Sequence, residues 1–587
     1  MAGERSASMA EFRPLRQPAE SYDVAILGGG LAGLTLALQL KQTRSETSVA
    51  VFEKREGPAP EAAFKVGEST VGSGAHYFAE VVGMKDHLED AHLPKCGLRF
   101  FAPIEGNTDI ARRAEVGPIL FPPHVNYQID RGRFENELAA RCRRAGVDLL
   151  QGSRVADVDL GGERHSVSFT QNDQERRTSV RWVVDASGRA GLLKSKLGLS
   201  RDVGHTINSS WFRLAGGLDI EDFAPDDEEW LGRMTERGLR KFSTNHLLGR
   251  GYWIWMIPLS SGPISIGICA DPRFHPYEEI DELDRALDWI RRHEPQLGQA
   301  LEGREGDIED FLRVGDFAYG CDRVYNAPDR WCLTGEAAAF ADPFYSPGSD
   351  FIGYGNCFIN DIVTRELQGE DVTDRAEYFE GFYFRTFDKT LDLYEDLYEV
   401  LGNAQVVMSK IAGWDVVLSH WSPTLLFVND KLCDLEFMRE VDADVDRLYR
   451  LSHRVQQLMR DWSPLEQEQD FKPVHVAVPL YRPFREGVLG LASEYSDDEL
   501  RSTVAAQSVM AEAIAVGIFH RAASRIEHDL DEDTRINPYA GSLHPDRWED
   551  DGLFEEPGLS LREAREAAEG LDSIWLEPAE PQADRAA

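Results

Sequence analysis

The sequence predicts an α/β fold, with a Rossmann-type dinucleotide-binding domain, an interleaved antiparallel sheet as the substrate region, and a mostly helical C-terminal part. Three observations predict it. The apolar run YDVAIL (22–27) leads into GGGLAG and then LTLALQLKQ. Aromatic and β-branched stretches lie between two later apolar strands. After about residue 356 helical spacing with few breakers takes over.

YDVAIL reads as a buried parallel strand, and the glycine turn after it opens a helix. SVAVFEKREG (48–57) is the next strand and carries Glu53 near its end. SVRWVVDASG (179–188) and DRWCLTGEAAAF (329–340) are two further apolar strands, each stopping at a small-residue turn. Between them TINSSWFRLAGGL and GYWIWMIPLSSGPISIGICA have the composition of antiparallel strands. Segments 377–405, 444–462 and 498–526 have helical spacing. The predicted division is a mobile arm over 1–20, a nucleotide-binding domain with the interleaved sheet over 21–355, a helical region over 356–526, and an acidic, loosely held tail over 527–587. No internal repeat is present.

A formal charge of −39 argues against a nucleic-acid partner. No run of 18 apolar residues occurs, so no membrane span is expected. The first twenty residues lack the apolar core of a signal peptide. Seven scattered cysteines without CxxC suit a reducing cytoplasm, and no HExxH or other ligand spacing predicts a metal.

Gly28, Gly30 and Gly33 form GxGxxG between strand and helix. The first two allow a tight turn and close approach to a pyrophosphate, and the third allows helix and strand to pack closely. The helix start at Leu31 and Ala32 presents free N–H groups to the phosphates. Glu53 and Lys54, about twenty residues on, stand where ribose hydroxyls are bound.

DRGRFENEL (130–138), VVDASG (183–188) and LTGEAAAFADP (333–343) resemble, in order, the segments with which glutathione-reductase-type flavoproteins hold FAD. That resemblance implies FAD contacts for Arg131, Asp185, Ala186, Gly335, Glu336 and Asp342. Glu336 stands where an Asp is usual.

VGEST (66–70), WIWMIP (253–258) and the pattern FxxPxxSxG through Phe340, Pro343, Ser346 and Gly348 resemble the flavin-dependent halogenases. LPKCGLRFF (93–101) lies where that family carries its catalytic lysine, and Lys95 is the match. The resemblance spans roughly residues 20–360. It implies that FADH2 and O2 convert chloride or bromide to hypohalous acid, which travels inside the protein to Lys95. From there it halogenates an electron-rich aromatic, in natural-product biosynthesis. It also implies a cofactor contact for Ser69, a substrate or tunnel wall at Trp253, Trp255 and Ser346, and halide binding at Gly348 and Ser349. A separate flavin reductase would supply FADH2, because no second nucleotide motif is present. The substrate would be a small aromatic, free or carrier-tethered.

Two departures matter. Ser346–Pro347–Gly348 reads as a helix start with Ser at the N-cap and Pro at the first helical position. Pro347 then lacks one of two N–H groups the family offers to halide. Tyr345 stands where tryptophan-type members have Glu, which points to the phenol or pyrrole branches. Two alternatives stay open: an FAD monooxygenase or dehydrogenase that does not halogenate, and a non-catalytic flavin-binding protein.

Overall fold

A computed structural model describes residues 18–62, 64–104, 106–466, 471–476 and 480–577. Most of the predicted arm, residues 1–17, lies outside them, as do 578–587 of the predicted tail.

The nucleotide-binding sheet runs, strand by strand, Tyr325–Asn326, Trp331–Leu333, Gln174–Asp185, Ser21–Leu27, Val49–Glu53, Asp148–Gln151. Along this order all neighbours are parallel except the first pair, and an antiparallel extension, His165–Gln171 then Ser153–Asp159, pairs with the start of Gln174–Asp185. Register sets the site. Leu27 lies opposite both Phe52 and Asp185, and Asp185 lies opposite Leu333. Four strands therefore end level, and the turns after them open at one edge, the carboxyl edge where such sheets bind ligands. Val24 to Leu27 are fully buried, as expected for a central parallel strand covered on both faces. One covering element is the Leu31–Thr43 helix, whose N-terminus faces that edge.

The second sheet has eight strands, in the order Ile308–Val314, Asn208–Leu214, Ile264–Ala270, Tyr252–Pro258, Thr244–Gly249, Leu98–Ala102, Ala114–Val116, His475–Val476. It is mostly antiparallel, with two parallel pairs that the sequence did not predict. Leu98–Ala102 runs parallel to Thr244–Gly249, and His475–Val476 runs parallel to Ala114–Val116. Through the second pair the C-terminal region completes the edge of this sheet, giving partners to backbone groups that would otherwise be exposed.

The Gly348–Glu366, Thr373–Asp392, Leu435–Trp462 and Asp497–Arg525 helices form most of the rest. The helix predicted to run on to residue 405 stops at Asp392, and Asp396 takes a left-handed φ of 50°. Asp497–Arg525 is long and apolar enough to cross a membrane by composition, and 67% of its most apolar window is buried within the protein. The tail predicted to be loosely held differs over 527–577. Ile536, Trp548, Leu553, Leu571 and Ile574 are buried there. A Ser560–Glu563 capping box opens the Leu561–Ala567 helix. A few large apolar residues anchor the segment despite its acidic composition.

Candidate functional site: a cofactor cavity, a buried lysine and an apolar cavity

The glycine turn is shaped by contact. A Cβ on Gly33 would overlap the Gly28 carbonyl oxygen, and one on Gly28, where φ is +119°, would overlap the Ala186 carbonyl. Gly30 has nothing within 4 Å of the place a Cβ would occupy. The space needed by a pyrophosphate is thus left open above the start of the Leu31–Thr43 helix. The Glu53 carboxylate accepts from the N–H groups of Gly29 (3.0 Å) and Arg55 (2.8 Å), which fixes it at the strand end beside the turn. Lys54 points to solvent.

Leu31, Ser69, Arg131, Trp253, Trp255, Gly335, Glu336, Asp342, Ser346, Gly348 and Ser349 line one cavity of about 130 Å³. Eleven of the predicted site residues, drawn from segments up to 318 positions apart, therefore meet. The cavity walls fit a flavin nucleotide. The Glu336 carboxylate has no partner among the described residues, so it is available to hydroxyls. Arg131 Nε and Glu68 Oε2 are buried polar atoms without a partner. Elsewhere Arg131 donates to the Val66 carbonyl (2.5 Å) and to Glu135 (2.8 Å).

Two predicted cofactor residues also make hydrogen bonds within the protein. The buried Asp185 carboxylate accepts from the N–H groups of Ser187 (3.0 Å) and Leu193 (2.7 Å), and burial raises its pKa. It shapes the DASG turn, and Ala186 supports Gly28. Asp342 accepts from Phe344 N (2.9 Å), Tyr398 Oη (2.8 Å) and His205 Nε2 (2.9 Å). Tyr398 in turn accepts from Trp253 Nε1 at 2.9 Å. The left-handed turn at Asp396 places Tyr398 between the two. Trp255 lies opposite Gly267, and its ring fills the space a Cβ would need there.

Lys95 ends the short Leu93–Lys95 strand and is wholly buried. Its ammonium donates to Ser69 Oγ (2.6 Å) and the Thr70 carbonyl (2.7 Å). Ser69 Oγ also lies 2.9 Å from both Thr244 Oγ1 and Ser346 Oγ. The GES segment is held from below: Arg213 donates to Glu68 at 2.6 Å and to Asp310 at 2.9 Å, with all three side chains buried. Burial pulls the Lys95 pKa down to about 7, against the opposing pull of Asp350.

The helix start departs from the expectation. The Gly348–Glu366 helix has Pro347 at its N-cap, and the Pro347 carbonyl accepts from Phe351 N at 3.1 Å. Ser346 is therefore one residue outside, in a left-handed conformation (φ 59°), and its hydroxyl meets Ser69 instead of capping the helix. The N–H groups of Gly348 and Ser349 belong to the first turn, which has no intrahelical acceptors. Nothing lies within 4 Å of the Cβ position at Gly348. The Ser349 hydroxyl packs on Gly74 and has no partner, leaving its backbone N–H for any anion.

A second cavity, about 160 Å³, adjoins the first. Its walls include Val71, Gly72, Phe100, Tyr345, Asp350, Lys389, Tyr394, Asp415 and Phe484. Pro347 and Phe351 line both cavities. Lys95 itself lines neither cavity, but its acceptor Ser69 lines the first, and Val71 and Gly72, which follow its acceptor Thr70, line the second.

A family model described as an FAD binding domain matches residues 21–263. The chain is 28% identical over 499 residues to the flavin-dependent halogenase chlA of Dictyostelium discoideum, covering 76% of this chain and 80% of that one. It is 27% identical over 369 residues to the 1H-pyrrole-2-carbonyl-(peptidyl-carrier protein) brominase of Pseudoalteromonas luteoviolacea, covering 62% and 80%. Among solved structures, the halogenase PltM in complex with phloroglucinol and FAD has the same fold. Its TM-score is 0.60 at 18% identity, covering 83% of this chain and 96% of that one.

The chain is similar in sequence to flavin-dependent halogenases and shares their fold. It is an oxidoreductase with an FAD-binding domain. Several site residues carry no sequence signal of their own. Asp350, in the first turn of the Gly348–Glu366 helix, accepts from Gly74 N at 2.6 Å. Burial raises its pKa to about 8, opposed by Gly74 N–H and Lys95. Asp350 and Lys95 thus form a coupled pair poised near neutrality. Only its place four residues after Ser346 could have drawn notice. His246 lines the cofactor cavity with its ring stacked 4.4 Å from Phe100, and burial lowers its pKa to about 3. Tyr345 donates to Asp415 at 2.6 Å, facing the apolar cavity.

Proposed function

We propose that the protein installs chlorine or bromine on an electron-rich aromatic, using FADH2, O2 and a halide, with Lys95 as the group that delivers the halogen. The observation that carries this is Lys95, a wholly buried amine whose acceptor Ser69 lines the cofactor cavity and whose acceptor Thr70 precedes Val71 and Gly72 of the apolar cavity.

Bound reduced FAD, with O2, supplies the oxidation that turns halide into hypohalous acid. The chain's own residues do the rest. The turn at Gly28, Gly30 and Gly33 cradles the pyrophosphate, with Leu31 and Ala32 at the helix start. Glu53 binds ribose, while Arg131 and Glu336 hold the nucleotide chain. Trp253 and Trp255, locked by Tyr398 and Ser265, wall off the cofactor cavity and keep the aromatic substrate away from it. The N–H groups of Gly348 and Ser349 hold the halide at a helix N-terminus.

With burial pulling its pKa down to about 7, Lys95 can reach the free-amine form near neutral pH. The amine takes the halogen from hypohalous acid, an N–X bond forming as water leaves. The ring in the apolar cavity then attacks the halogen; Asp350, whose pKa of about 8 keeps it mostly protonated at neutral pH, gives its proton to the departing Lys95 nitrogen and takes back the one the ring releases.

The relatives support a small aromatic substrate. The brominase is named for a carrier-bound pyrrole, the PltM complex holds a free phenol, and a tetracycline 7-halogenase at 24% identity supports antibiotic biosynthesis. FADH2 would come from a separate reductase. The test is mass spectrometry of aerobic turnover mixtures containing a flavin reductase, aromatic substrates and either chloride or bromide. A product with the halogen isotope doublet supports the proposal.

Pro347 favours a second reading, a flavin monooxygenase on the same scaffold, because it removes an N–H from the halide position. A product gaining one oxygen atom and no halogen would establish that reading instead.

A further inference from the structure

The apolar cavity contains a charge imbalance. Two acidic side chains line it, and each feels the charge of a buried lysine. Asp350 is matched by Lys95. Asp415 pairs with Lys410 at 2.8 Å and accepts from Tyr345 at 2.6 Å and Gln456 at 2.7 Å, so both of its oxygens are engaged. The π-helical turn Ser409–Asp415 brings Lys410 and Asp415 together.

Lys389 is the third lysine. It lines the same cavity from the Thr373–Asp392 helix. It has no hydrogen-bond or ion-pair partner among the described residues. Its nearest ring, Tyr449, is 5.9 Å from Nζ. Asp392 lies further along the same helix and is hydrogen-bonded by His453 at 2.9 Å. Burial pulls the Lys389 pKa down to about 8, with Asp415 and Asp392 opposing and Lys410 assisting. An ammonium left unmatched against apolar walls is a standing electrostatic deficit, which an anion of the right size removes.

We propose that Lys389 is the anion-binding residue of the substrate cavity, and that the aromatic substrate carries an ionised oxygen group, carboxylate or phenolate, seated on its ammonium. The cavity, about 160 Å³, is close to the roughly 150 Å³ apolar cavity that accepts a benzene ring in an unrelated protein. Phe100, Leu393, Ile411 and Phe484 supply apolar wall for such a ring. One end of the ring is anchored at Lys389 and the other is left for the Lys95 side. The proposal rests on the halogenase reading for the purpose of this anchoring, but the binding itself does not need turnover.

The test is equilibrium binding to the full, FAD-loaded protein near neutral pH, followed by calorimetry. The probes are benzoate against neutral benzamide, and 2,4-dinitrophenolate against its neutral methyl ether. Wild type is expected to prefer at least one anion over its neutral partner. Lys389→Met should weaken that anion by about tenfold to a hundredfold, the range for a hydrogen bond to a charged group, and leave the neutral probe unchanged. Lys389→Arg should retain the preference. Loss confined to benzoate identifies a carboxylate, and loss confined to dinitrophenolate identifies a phenolate. No anion preference in wild type, or the same preference in Lys389→Met, overturns the proposal. No halogen is transferred in this measurement, so a failed halogenation assay leaves its answer intact.

Discussion

The Lys95 ammonium donates to Ser69 Oγ at 2.6 Å, and the Ser346 hydroxyl reaches the same oxygen at 2.9 Å. One serine of the GES segment thus joins the buried amine to the residue just outside the Gly348–Glu366 helix. The cofactor side and the substrate side of the site are held in one frame through that atom.

Lys95→Met keeps the buried volume and removes the amine. Halogenated product should fall to background while FAD binding and NADH consumption through the reductase persist. Halogenation retained in this variant, read by isotope pattern, would remove Lys95 from its assigned role.

Activity should fall on the acid side of about pH 7, where Lys95 becomes ammonium. Asp350 favours the ammonium, so its charge raises the Lys95 pKa. Asp350→Asn should therefore move this limb to lower pH, since the amine persists further into acid. The limb belongs to the coupled pair, and the pH dependence of single-turnover halogen transfer reads it. A limb that stays in place would show that the two groups are not linked in this step.

Gly30 and Gly33 should separate folding from cofactor binding. Gly33→Val forces a side chain against the Gly28 carbonyl, destabilising the fold by about 1–3 kcal/mol and losing FAD. Gly30→Val meets open space in the protein, so the melting temperature of the FAD-free form should hold. Its FAD affinity should fall by at least about tenfold, ~1.4 kcal/mol. Equal effects on both quantities in Gly30→Val would contradict an open pyrophosphate position.

Pro347→Ala restores an N–H in front of the halide position. A hydrogen bond to a charged acceptor contributes about 1.5–3 kcal/mol, so half-saturating halide should drop by about one to two powers of ten. An unchanged halide dependence, measured by initial rates of product formation, would place the halide elsewhere.

Tyr398→Phe leaves Trp253 Nε1 and one Asp342 contact unsatisfied. A loss of about 1–3 kcal/mol in unfolding free energy is expected. No loss would mean that water replaces the hydroxyl.

Local chemistry made much of this protein legible. A glycine turn between an apolar run and a helix has few other uses, and strand composition marked both sheets. The WxWxIP and GES segments lay in order along the chain, and Lys95 stood at a fixed distance after the latter. Those signals are short-range, so reading them requires only neighbours in sequence.

What contacts what was decided by tertiary structure alone. The same kind of residue, a carboxylate near a small-residue turn, became a turn brace at Asp185, a network hub at Asp342 and an open cavity wall at Glu336. Asp350 and Lys95 are 255 positions apart and come together only because a strand end and a helix start converge behind Ser69. Lys389 looked like any helical lysine until packing turned it toward an apolar cavity and engaged its neighbours with each other. Burial and pairing are properties of the assembled interior, and pKa values follow them because desolvation acts only once the chain has closed around the charge.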